Sequence, residues 1–154
     1  LVLNCFHLIA QNKKPLTQIK AVFELRAASD AGFTPDLVAC NGCGKHNLNV
    51  YYFDAEGGYF LCEDCFSKSH EEFETQLRRQ NEAEGIYAGT RLILILSPDV
   101  YVAMRYVVFS KPERIFAFEL RDGALEQFAS VCEKYLICHM EKNSRTLDFF
   151  KSVT

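Results

Sequence analysis

Apolar residues recur along this chain at two spacings, and the change from one to the other divides it. Leu16, Ile19, Ala21, Val22, Phe23 and Leu25 follow a helical period after Pro15, a residue tolerated in a first turn, and predict a helix running to Ala31. Gly32 ends that helix and Pro35 keeps it from resuming. Upstream, Asn4 to Ala10 reads as the end of another helix. The period then shortens. Val50-Tyr51-Tyr52-Phe53 and Gly58-Tyr59-Phe60-Leu61 read as two short strands joined by Asp54-Ala55-Glu56-Gly57, a β-hairpin. Residues 66–84 are polar and acidic and predicted to be partly helical, with Phe66, Phe73 and Leu77 on one stripe and Glu74 and Arg78 as an i, i+4 pair. Leu92 to Leu96 is too short to type by period, although its β-branched content permits a strand. Ser97 and Pro98 resemble an N-cap and first helical residue, Val100, Met104, Val107 and Val108 mark a buried face, and the helix should stop near Ser110, before Pro112. After an apolar connector from Ile115 to Leu120, Asp122 caps the strongest helix, whose stripe is Leu125, Phe128, Ala129, Cys132, Tyr135, Leu136, His139 and Met140. Leu147, Phe149 and Phe150 are expected to fold back as a terminal apolar clasp.

This pattern predicts a mainly α fold: one helical domain (1–34 and 71–154) interrupted by a small β-hairpin insert (35–70). Two Cys-x-x-Cys pairs, Cys40 with Cys43 and Cys62 with Cys65, flank the hairpin at a separation of eighteen residues. That spacing is expected when two knuckles close on one tetrahedral ion, so the insert reads as a zinc ribbon with structural Zn2+. Gly42 and Gly44 are expected to ease the knuckle by accepting positive φ. An iron centre of the rubredoxin type uses similar knuckles, so the preference for zinc over iron stays open at this point. Two disulfides fit poorly, because a disulfide scaffold is usually shorter and richer in cysteine. Catalytic zinc also fits poorly, since four thiolates leave no open position. His46 and His70 read as surface histidines, and Cys132 with His139 as core residues rather than a second metal pair.

With 154 residues, 49% of them hydrophobic, the chain can support one ordinary core plus the ribbon. Its net charge of −3 argues against strong nucleic-acid binding by this piece alone. The acidity is local: residues 35–92 carry ten acidic and five basic side chains, whereas residues 93–154 carry eight of each. The longest apolar runs, Leu92 to Leu96 and Val100 to Val108, are far short of a membrane span, and Cys5, Cys132 and Cys138 among apolar positions suit a reducing compartment, so a soluble, cytoplasmic protein is expected. Starting at Leu1 inside an apolar segment, the chain reads as a fragment with an upstream part missing. It carries no phosphate loop, nucleophile elbow or dinucleotide fingerprint, which favours a binding module over an enzyme.

The order Val22-Phe23-Glu24-Leu25-Arg26, Gly32-Phe33-Thr34-Pro35-Asp36-Leu37, Cys40-x-x-Cys43-Gly44 and Gly57-Gly58-x-x-x-Cys62-x-x-Cys65 resembles the bacterial DNA repair protein RecO family of recombination mediators. Leu96-Ser97-Pro98, Tyr135-Leu136, His139-Met140-Glu141 and Ser144 to Phe150 resemble the same family's closing part. The resemblance implies an oligonucleotide-binding barrel upstream, absent here, on which DNA binding and strand annealing largely rest. For this part it implies docking of RecR, of the acidic tail of single-stranded DNA-binding protein and of DNA, in a pathway that loads RecA. An acidic peptide with an apolar end needs an apolar pocket and nearby cations, for which Arg105, Arg114, Arg121 and Arg145 are the candidates. The alternative is a zinc-ribbon module of transcription or RNA processing, whose bases would stack on Tyr51, Tyr52, Tyr59 and Phe60.

Overall fold

A computed structural model describes residues 1–71 and 91–153, with the side chains of residues 1–71, 91–121 and 123–140. Its elements are α1 (Val2–Gln11), α2 (Leu16–Asp30), β1 (Tyr51–Asp54), β2 (Tyr59–Leu61), α3 (63–71), β3 (Ile93–Leu96), α4 (Pro98–Phe109) and α5 (Asp122–Val153). The fold is mainly helical with one small antiparallel sheet, as the periodicity predicts. No helix among the described residues is long and apolar enough to cross a membrane. Phe73, Glu74, Leu77 and Arg78 lie outside the described residues.

The predicted helix boundaries follow their local signals. Pro15 stands at the N-cap of α2 in extended conformation, and beyond its end Gly32 takes φ +97°, a value that a side chain strongly disfavours. Pro98 opens α4, with Asp99 in the first turn. Ser97 occupies the expected cap position but makes no capping bond; its hydroxyl donates to Gln127 Oε1 at 2.7 Å, tying α4 to α5. At the other end of α4, Arg26 donates to the carbonyls of Val107 and Val108, two of the acceptors a helix C-terminus leaves open.

Ile19, Ala21, Val22, Leu25 and Ala28 of α2 are buried, as are Val100, Tyr101, Ala103, Met104 and Val107 of α4 and Phe128, Val131, Cys132 and Tyr135 of α5. Three apolar residues assigned to these stripes from the sequence sit elsewhere: Leu16 is 65% exposed, Phe23 37% and Met140 59%. Leu16 stands at the solvent-facing start of α2, and Met140 follows buried His139 at the end of the described side chains of α5. The helix itself continues to Val153, so its backbone does not turn back at residues 147–150.

The hairpin acquires a third strand. β1 pairs with β2 (Phe53 opposite Phe60) and on its other side with β3 (Phe53 opposite Leu94), giving the antiparallel order β2-β1-β3. Alternation then sorts the faces: Tyr51, Phe53, Phe60, Leu94 and Leu96 are buried, while Tyr52, Leu61 and Ile95 face outward. Leu92 to Leu96 thus resolves as a strand because β1 offers it a partner. Gln127 donates to the Ile95 carbonyl and accepts from the Ser97 N–H, covering part of the free edge of β3. The central strand carries the sheet onto the helices, with the Phe53 ring 5.5 Å from that of Tyr135 and the Tyr51 ring stacked on Tyr101 at 3.8 Å.

Buried Gln18 fastens α2 to the connector before α5 by donating to the Phe118 carbonyl at 2.9 Å. Lys14 donates to the same oxygen at 3.0 Å, so that acceptor keeps a partner when Gln18 is removed. Gln18→Ala is therefore expected to cost only about 1 kcal/mol, roughly 2–4 °C in Tm. Thermal unfolding checks this; a loss several times larger would mean that Lys14 does not compensate.

Candidate metal centre

Two docked turns bring the cysteines together. Asp36 bridges to Tyr59 in parallel, and the Asn41 N–H donates to the Phe60 carbonyl at 3.0 Å, which lays the first knuckle along β2. Cys62 follows β2 directly, and Cys65 stands in the first turn of α3, closed by the Phe66 N–H on the Cys62 carbonyl at 2.8 Å. Within the first knuckle, the Gly44 N–H donates to the Cys40 carbonyl at 2.8 Å and the Cys40 N–H to the Lys45 carbonyl at 2.9 Å. Lys45 then reaches Asp64 at 3.1 Å, an exposed clasp between the knuckles that adds little energy by itself.

The four sulfurs of Cys40, Cys43, Cys62 and Cys65 all lie within 4.8 Å of one another. Among the described residues they form the one cluster of three or more His, Cys, Asp or Glu side chains able to hold an ion. Four sulfurs this close to one another are the donor set of a closed structural site, and an ion there would be held by these four residues. The backbone is turned toward the thiolates as well: the Cys62 N–H donates to Cys40 Sγ at 3.2 Å. Desolvation pushes the Cys40 thiol up, but bonds from the N–H groups of Cys62, Gly42 and Cys43 outweigh it and bring it down to about 6. Cys65 moves the other way, to about 12, because contacts with the sulfurs of Cys62 and Cys43 favour its protonated form. Four sulfurs this close share their protons until a cation replaces them. Loading the site at neutral pH must therefore release protons, and metal affinity should fall as pH falls.

The two glycines of the knuckle have different reasons. Gly44 takes φ +73°, as expected from the sequence. Gly42 does not adopt positive φ; what it needs is space, because a Cβ would stand 2.8 Å from Cys65 Sγ. His46 contacts the Val38 carbonyl and His70 lies against the Phe66 ring, so neither joins the cluster. Cys132 is fully buried, which pushes its thiol well up, and His139 stacks on Phe33 and meets the edge of Tyr135, core positions as read from the sequence. A residue not singled out by its spacing is Asp54, buried at the end of β1, whose Oδ1 accepts from the N–H groups of Glu56 and Gly57 at 3.0 and 2.9 Å. The Asp-Ala-Glu-Gly order of the turn is a signal for such a bond.

Of the aromatics considered for base stacking, Tyr51 and Phe60 are buried beside Tyr101, and Tyr52 is covered by the Phe66 ring at 4.3 Å. The four arginines are dispersed. Arg105 is half-buried, donates to the Tyr101 hydroxyl and lies 5.8 Å over the Phe109 ring. Arg114 is exposed in the turn after α4. Arg121 is also exposed and borders a groove of about 580 Å³ with Val102, Tyr106, Phe118 and Leu120, its rim carrying Asp99 and Glu119. Arg145 lies on α5 outside the described side chains.

Residues 1–79 match the family described as "Recombination protein O C terminal", a span that contains all four cysteines. The DNA repair protein RecO of Acetivibrio thermocellus is 27% identical over 99% of this chain and 53% of its own length. That of Alkaliphilus metalliredigens is 22% identical over 96% of this chain and 52% of its own, and that of Lawsonia intracellularis 31% identical over 40% and 25%. The chain thus spans about half the length of the first of these relatives. No solved structure matches it significantly. With more than half of its residues covered by the family match, the four clustered cysteines included, the chain belongs to the recombination protein O C-terminal family.

Proposed function

We propose that this chain is the C-terminal docking part of a recombination mediator in DNA repair, a helical scaffold braced by a structural zinc ribbon. The observation that carries the reading is the four-cysteine cluster lying inside the family match, on a sheet joined to the helical core through β3. Its role is binding, not catalysis: RecR, single-stranded DNA-binding protein and DNA are the partners, and RecA loading and strand annealing the process they serve. A closed four-thiolate site suits this, because it stabilises a surface without offering a coordination position to substrate. Zinc is favoured over iron on the same ground, as an ion whose work here is structural.

Of the arginine candidates, Arg121 has the best surroundings for an acidic, apolar-ended peptide, since it borders a groove that also offers Val102, Phe118 and Leu120, although Asp99 and Glu119 on the same rim would oppose further acidic side chains. Arg105 is already engaged with Tyr101 and Phe109. Titrating a labelled acidic tail peptide of single-stranded DNA-binding protein tests the assignment. Arg121→Ala should weaken capture about 10-fold, the loss of one charge-assisted hydrogen bond, while Arg114→Ala should leave it unchanged. Binding that ignores Arg121, or that requires the ribbon instead, would refute it.

A further inference from the structure

Gly42 precedes Cys43 in the first knuckle, yet its backbone conformation does not call for glycine. A Cβ built there would lie 2.8 Å from Cys65 Sγ, 3.0 Å from Cys65 Cβ and 3.6 Å from Leu61 Cδ2. The first separation is closer than real side chains come, and the second is tighter than nearly all of their contacts. We propose that Gly42 is the positioning residue for the fourth thiolate: lacking a Cβ, it lets the first knuckle approach Cys65 closely enough for that sulfur to join the other three.

Cys65 has no easy retreat. Its Cβ is carried by the first turn of α3, which is fastened by the Phe66 N–H on the Cys62 carbonyl and by Lys45 on Asp64. A methyl at position 42 leaves two escapes. Either Cys65 rotates about χ1 and takes its sulfur out of the cluster, or the knuckles part and the same sulfur is left behind. Both end with three thiolates and one position open to water, the difference between a closed site and an exchangeable one. Gly44 is the natural control, because a Cβ there meets nothing within 4 Å and only its positive φ is strained.

The test uses the whole chain loaded with Co2+, whose thiolate charge-transfer band scales with the number of bound sulfurs, together with zinc affinity from chelator competition. It rests on the four-thiolate reading, and a wild-type cobalt spectrum without four sulfurs would sink that reading first. Given four in the wild type, Gly42→Ala should lower the band in proportion to the loss of one thiolate in four and weaken zinc binding about 10–100-fold, the range for a residue supporting a ligand. Cys65→Ala should behave alike, and adding Gly42→Ala to Cys65→Ala should cost far less than Gly42→Ala does alone, since only the 3.0 Å approach to the remaining Cβ is left. Gly44→Ala should keep the four-thiolate spectrum. A four-thiolate spectrum in Gly42→Ala, additive penalties in the double variant, or complete loss of cobalt from Gly42→Ala while Cys65→Ala still binds through three sulfurs would each overturn the proposal.

Discussion

Chelation of the metal, or Cys40→Ala, is expected to unfold the two knuckles, α3 included, while leaving α1, α2, α4, α5 and the β1–β3 pair in place. In isolated small fingers, binding energy of about 10–16 kcal/mol is largely folding energy, because nothing else holds the chain together. Here such an ion would do only part of that work. The knuckles, residues 36–49 and 62–71, bury only Leu37, Cys40 and Cys62 among their apolar side chains. β1, by contrast, is paired on both sides and buries Tyr51 and Phe53 against the helices. Hydrogen exchange should show amides such as Cys62 N–H and Gly44 N–H losing protection after chelation, with Phe53 retaining most of its own. Metal analysis of protein purified without added zinc should find one equivalent per chain. Less than half an equivalent of any metal, or knuckle amides that stay protected in Cys40→Ala, would contradict the zinc reading.

Phe53→Ala is expected to destabilise the whole chain by about 3–5 kcal/mol, the cost of emptying a large, fully buried aromatic site. The residue is completely buried in the central strand, opposite both Phe60 and Leu94, with Tyr135 of α5 beside it. Domains of this size are typically stable by only about 5–15 kcal/mol, so the variant should melt on the order of 10 °C lower. Its use is diagnostic, because it separates two descriptions of the ribbon. If the sheet is part of the common core, metal-loaded Phe53→Ala will unfold in urea as one earlier transition. If the ribbon is an independent module, the helical transition will stay where it is and only a ribbon signal will move.

What the sequence determined by itself is whatever rests on neighbours along the chain. Pro15, Gly32 and Pro98 mark helix boundaries through their own backbone constraints, and each Cys-x-x-Cys pair presents two sulfurs that could hold a metal ion because two residues between sulfurs is a local geometric condition. The hairpin between the pairs was legible for the same reason, since its strands are joined by a short turn. Tertiary structure decided the rest. Leu92 to Leu96 is apolar whichever way it is read; it becomes a strand because β1, some forty residues earlier, has a free edge that must be paired. Leu16 follows the helical period of α2 and is still exposed, because periodicity gives the direction of a side chain but not the point at which the facing core begins. Gly42 makes the distinction most sharply. Its sequence neighbours suggest a turn residue, whereas its reason is the Cys65 side chain approaching from another knuckle, a contact that exists only once both knuckles have closed.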